Sequence, residues 1–248
     1  MKRWGGPWAV LLTAFLGGCS VAPPLLPTTV WYDVEEARQV LIERRESIAN
    51  VQAQCSLIIM PADKSRSQQN LDGALVFDRR GNARLRTYKL GQVVFDLTLN
   101  SDGAWVAVSK ELKDDADEAR RGLGQLADAL PGLLRGPDFR DAQLVGTPPA
   151  GDLRAAWPDV QAVVDGRTLA PVRYTFTGEA AESVHRLETR YTTYGDAVWL
   201  HELTAEGSFG KITLTLRNVE LNGELNPRAF KPPRRAVKVE TGDGADAS

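Results

Sequence analysis

The spacing of apolar and polar positions divides the chain into a helix, a run of strands, a second helix and a longer run of strands. Between Asp33 and Asn50 apolar residues recur at helical spacing. Val34, Ala37, Val40, Leu41 and Ile48 form one stripe, while Glu35, Arg38, Glu43, Arg45 and Glu46 fall largely elsewhere. Asp33 with Glu36 has the capping-box arrangement that starts a helix. From Gln52 the period shortens to that of a strand. Gln52 to Met60, Leu71 to Asp78, Ala83 to Leu90, Val93 to Asn100 and Ala104 to Ser109 read as strands joined by short turns, an antiparallel meander. The alternation is cleanest where Val93, Phe95, Leu97 and Leu99 oppose Asp96, Thr98 and Asn100. A polar loop, Ala62 to Asn70, follows the first strand.

The charged stretch Lys110 to Arg121 feeds an amphipathic helix in which Leu123, Leu126, Ala127 and Leu130 line one face. Pro131-Gly132 is expected to break it. Strands then resume at Asp141 to Gly146, Leu153 to Trp157, Val160 to Asp165, Ala170 to Gly178, Ser183 to Tyr194, Val198 to Ala205 and Lys211 to Leu221. In the last of these, Ile212, Leu214 and Leu216 share a face but Val219 and Leu221 have the opposite parity. A bulge near Asn218 accounts for the slip. The pattern is α+β, mainly antiparallel β, with about eleven strands, an N-terminal helix and a helical insert. No internal repeat is evident.

The beginning of the chain follows a different logic. Lys2 and Arg3 precede an apolar run, Trp8 to Leu16, that is too short for a bilayer, which takes about 20 residues. Gly17 and Gly18 supply the small residues a signal peptidase needs. With Cys19 after them the stretch resembles the lipobox of bacterial lipoproteins, against the plainer alternative of an ordinary secretory signal with a chance cysteine. The resemblance implies a diacylglycerol thioether on Cys19, cleavage before it, and a membrane anchor facing the periplasm. Ser20, where an Asp would resemble an inner-membrane retention signal, points to the outer membrane. Prolines at 23, 24 and 27 stiffen a tether. The expected organisation is a signal peptide over 1–18, a lipid-anchored tether over 19–32, one domain over 33–236 and a disordered acidic tail over 237–248.

Composition narrows the function classes. The net charge is -2 over 248 residues with no basic stripe, which speaks against a nucleic-acid partner. Of two cysteines, a lipidated Cys19 leaves Cys55 alone, so no intramolecular disulfide is expected and Cys55 reads as a buried, inert thiol. His185 and His201 lack cysteines or carboxylates at metal-ligand spacing. Asp114, Asp115 and Glu118 beside Arg120 and Arg121 read as a solvated helix start. Ser208-Phe209-Gly210 sits in a hairpin turn and is no nucleophile elbow. No phosphate-binding glycine motif is present. No catalytic residue, metal or cofactor is therefore expected, and the chain reads as a non-enzyme.

Three local features carry a resemblance. Ile48-Ala49-Asn50-Val51-Gln52-Ala53-Gln54 joins a helix to a first strand. Gly73-Ala74-Leu75-Val76-Phe77 leads through a basic strand to Asp102-Gly103-Ala104-Trp105. Asn226-Pro227 precedes Phe230-Lys231-Pro232-Pro233 at the close. In this order they resemble the LolA/LolB-like lipoprotein-carrier superfamily. The resemblance implies an unclosed, or half, β-barrel with both helices on its concave face and an apolar cavity for acyl chains or the lipid anchors of lipoproteins. Phe77, Phe95, Leu97, Trp105, Leu126, Leu130, Tyr174 and Phe176 are the residues expected to line it. LolB-type members also carry an exposed apolar residue on a protruding loop, which the polar loop 62–70 does not supply. Two functions follow. One is a lipid-handling lipoprotein in transport or envelope biogenesis. The other is an adaptor that presents a surface of the same fold to an envelope protein complex. An open hollow beneath the helix from Leu123 to Leu130 favours the first, and a filled one the second.

Overall fold

A computed structural model describes residues 25–63, 65, 67–109, 116–178 and 184–239. The signal segment, Cys19 and Ser20, the carboxylates Asp114 and Asp115, and the tail from 240 onward lie outside them, as does the side chain of Glu118. The first helix, α1, runs Val34–Glu46. Asp33 caps it, its Oδ1 accepting from the Glu36 N–H at 2.8 Å. Glu36 reaches back one residue further than the usual capping box, accepting from Tyr32 N–H at 2.8 Å. The helix ends earlier than expected, at Ser47, because Asn222 holds the next turn. Its Nδ2 donates to Ser47 C=O and its Oδ1 accepts from Ala49 N–H. Ile48 is thereby free to enter the core as β1 begins.

The strands are β1 (Asn50–Pro61), β2 (Gln69–Asp78), β3 (Ala83–Lys89), β4 (Gln92–Asn100), β5 (Gly103–Val108), β6 (Gln143–Gly146), β7 (Leu153–Ala156), β8 (Val160–Asp165), β9 (Ala170–Phe176), β10 (Val184–Tyr194), β11 (Ala197–Gly207), β12 (Gly210–Leu221) and β13 (Val237–Val239). They make one unclosed antiparallel sheet in the order β13-β5-β4-β3-β2-β1-β12-β11-β10-β9-β8-β7-β6. The meander is interrupted where β1 pairs with β12, joining two halves that are far apart in sequence. The bulge expected near Asn218 is there. Gln52 pairs with Glu220 but Gln54 with Arg217, and Asn218 takes a left-handed φ of 47°.

Two end assignments differ from the sequence reading. Val237–Val239, read as the start of the tail, adds to β5 as a thirteenth strand, with Lys238 opposite Trp105. The tether, read as ending at residue 32, is bound to the domain before that. Thr29 N–H donates to Arg167 C=O at 2.7 Å, and Trp31 is 0% exposed with its Nε1 donating to Gly166 C=O at 2.7 Å. Gly146 makes room for it, since a Cβ there would lie 3.1 Å from the Trp31 ring.

The second helix, α2 (Ala116–Arg135), passes straight through Pro131, which sequence read as its end. The proline lacks the N–H for one helical bond, yet Leu133 and Leu134 beyond it are buried and hold the last turn on the core. The helix stops at Gly136, whose φ of +66° and N–H bond to Gly132 C=O at 2.8 Å form a left-handed cap. One face of the sheet and both helices share a single apolar core. Val51, Leu75, Leu85, Leu97 and Val106 meet Leu130 and Leu133 of α2 and Ala37, Leu41 and Ile42 of α1. Among the described residues no helix is long and apolar enough to cross a membrane.

Candidate functional site

The site is built from arginines of the first helix, two of which, Arg38 and Arg45, lie off its apolar stripe. On α1, Arg38 donates to the carbonyls of Phe139 and Ala142 at 2.6 and 2.9 Å. Arg44 donates to those of Thr168 and Leu169 at 2.5 and 3.0 Å and to Thr29 Oγ1 at 2.8 Å. Arg45 lies 2.6 Å from Asp138 Oδ2. These three side chains tie α1 to the loop after α2 and to the turn between β8 and β9. That loop is held from its other side by Trp157, which donates from Nε1 to Asp138 C=O at 2.8 Å and packs edge-on against Phe139 with centroids 5.3 Å apart.

Between these ties a cleft opens, with about 480 Å³ of empty space, open solvent included. Leu41 of α1, Leu134 of α2, Phe139, Leu169, Ala170 and Pro171 line it. So do Tyr174, Tyr191, Val198 and Trp199 of the sheet. Arg44, Arg45 and Arg135 also line it, and no carboxylate does. The hydroxyls of Tyr174 and Tyr191 bond to each other. Burial raises both, Tyr191 to about 12 and Tyr174 beyond the usual range, so they stay neutral. Burial also pushes the Asp138 carboxyl up. The Arg140 N–H and the Arg45 guanidinium outweigh it and leave the group below its ordinary value.

Of the eight residues expected to line a cavity, the structure brings one, Tyr174, to this cleft. Phe77, Phe95, Leu97 and Leu130 are packed inside the core, with Leu97 0% and Leu130 2% exposed. Leu126 and Phe176 are half-buried against that core. Trp105 sits on the other face. It pairs with Thr98 whereas Leu97 pairs with Val106, so strand parity sends it away from the helices. At these positions the space beneath α2 is occupied, and the described cleft opens beside the helix end instead. Sequence reasoning missed Arg44, Arg45 and Arg135. The available signal was Arg44-Arg45 in the last turn of a helix that must bury a face, where long side chains cover apolar ground with their stems.

The exposed apolar residue that the loop 62–70 lacks is found elsewhere. Leu90 and Gly91 form the two-residue turn between β3 and β4, at φ values of 52° and 81°. Leu90 is 99% exposed. Sequence placed Leu90 at the end of a strand. Such a turn favours Asn-Gly, and a left-handed leucine is strained.

Cys55 is buried, and burial followed by Asp72 raises its thiol to about 12. His185 is exposed, and His201 Nδ1 lies 3.3 Å from Tyr194 Oη. Among the described residues no group of three or more His, Cys, Asp or Glu side chains could hold a metal.

No family model and no curated protein matches the sequence. Solved structures do match. One is a LolA superfamily protein from Nitrosomonas europaea, 12% identical, with a TM-score of 0.50 over 78% of this chain and 96% of that one. Another is a DUF1329 family protein from Desulfovibrio piger, 11% identical, with a TM-score of 0.53 over 80% of this chain and 97% of that one. At such identities the likeness is one of fold. The chain has the LolA-like fold, an open antiparallel half-barrel with two helices.

Proposed function

We propose that this chain is a lipid-handling lipoprotein that shelters an acyl chain, or the acylated end of another lipoprotein, in the cleft between α1, the end of α2 and strands β9 to β11. The observation that carries the reading is a cleft walled mainly by apolar side chains within a LolA-like half-barrel. Apolar burial drives binding, at about 25 cal/mol per Å², and no covalent step is needed. The lipobox at Cys19 supports an anchor in the membrane, with the domain facing the periplasm. Two or more acyl chains hold a protein stably on a bilayer. Leu90 supports contact with a membrane or a second carrier. It stands on the rim that also bears the loop 62–70 and the turn at Phe209, away from the cleft.

The adaptor reading has one observation in its favour, the packed interior at Leu97 and Leu130. Titration of a fluorescent fatty acid separates the two. The lipid-handling reading expects one saturable site, with quenching of Trp199 that is lost in Trp199→Phe. No saturable binding, together with a protein partner captured by envelope cross-linking, supports the adaptor instead.

A further inference from the structure

The cleft is apolar on its walls and cationic at its lining. Arg44 satisfies its donors on backbone carbonyls, which carry no countercharge. Arg45 shares Asp138 with Arg140, and its Nε is buried without a partner. Arg135 is exposed, and the carboxylate that acts on it is the same Asp138 that Arg45 and Arg140 share. The ordinary value of Arg135 is lowered first by burial and next by the positive charge of Arg45 beside it. Three guanidiniums thus line an apolar cleft that has a single nearby carboxylate, and that carboxylate already serves two arginines. The indole Nε1 of Trp199, itself buried, is also without a partner.

Resting on the reading of the cleft as an acyl-chain site, we infer that its ligand is an amphiphile with a phosphate head group. The chain lies against Leu134, Leu169 and Trp199, and Arg45 and Arg135 meet the head. The charge excess suits a dianion better than a carboxylate. Guanidinium groups also bind phosphate through paired, charge-assisted hydrogen bonds. A neutral lipid would leave Arg135 beside Arg45 with only the carboxylate that Arg45 and Arg140 already share.

The test titrates the purified full chain in a fixed background of bulky nonionic detergent with dodecyl phosphate, dodecanoate, dodecanol and inorganic phosphate, reading Trp fluorescence. Dodecyl phosphate is expected to bind tightest, about tenfold or more above dodecanol, the worth of one charge-assisted contact. Arg135→Gln, a change at an exposed position, is expected to remove most of that preference, read as the ratio of dodecyl phosphate to dodecanol affinity. Arg45→Gln, checked for folding by its thermal transition, should lower the same ratio. Equal affinity for dodecanol and dodecyl phosphate overturns the inference while the acyl-chain reading stands. So does dodecanoate binding at least as tightly as dodecyl phosphate. Inorganic phosphate matching dodecyl phosphate would make this a free-anion site and overturn both. Binding by none of the probes also overturns both.

Discussion

At the scale of single residues, Leu90 is the most informative position. Its conformation and its exposure both work against it. A left-handed leucine costs about 1–2 kcal/mol, and full exposure returns nothing to the fold. Leu90→Asn, which suits the turn, is expected to raise stability by about 1 kcal/mol and to weaken association with liposomes. Thermal melts and vesicle flotation check the two halves. A stabilised variant that floats as well as the parent would remove any membrane role from this residue.

Asp138 yields a pH dependence. Its folded value lies below the ordinary one, so it contributes stability above the unfolded value, near pH 4, and loses it as pH falls through the lower folded value. Asp138→Asn is expected to cost about 1–3 kcal/mol at neutral pH by leaving Arg45 without its partner. The gap from the parent should close in acid. Denaturant midpoints measured along a pH series read this directly, and a gap that persists at low pH contradicts it. Cys55, buried with its thiol raised to about 12, is expected to resist iodoacetamide at pH 8 until the protein is unfolded. Rapid labelling of the native chain would show that the β1–β2 pairing opens.

At the scale of elements, the sequence reading succeeds where period and parity act alone. The strands fall within a few residues of their expected spans, and the two parities of the last long strand place its bulge at Asn218. It fails where tertiary contact overrides a local rule. Pro131 breaks helices in isolation, yet Leu133 and Leu134 find partners on the core and carry α2 onward. Trp31 sits among prolines and reads as tether, but a large apolar ring with one N–H donor is satisfied by the pocket at Gly146 and the carbonyl of Gly166. Trp31→Ala is therefore expected to destabilise the domain by about 3–5 kcal/mol, the usual cost of emptying a buried aromatic site. Equilibrium unfolding of the variant checks this, and a cost below about 1 kcal/mol would mean that the segment before α1 belongs to the tether after all.

At the scale of the whole molecule, one sheet of thirteen strands stays open because β13 and β6 never meet, and the helices occupy its inner face. That plan was legible from the order of elements. The position of the cleft was not. Residues such as Phe95 and Leu97 alternate correctly for an inner face, and an inner face can be either hollow or filled. Alternation reports the side of a sheet and nothing about what lies opposite. Here the helix fills the space over β4 and β5, and the opening appears beside the arginine ties of α1 to the 138–142 and 165–169 turns. Those ties use long charged side chains whose partners the pattern does not name.

Photo-cross-linking with a diazirine-bearing fatty acid, followed by peptide mapping, tests the acyl-chain site most directly. Adducts are expected on Leu134, on 169–174 and on Val198 and Trp199, and they should diminish when unlabelled fatty acid competes. Adducts confined to the outer face around Trp105, or none that competition removes, would contradict the account.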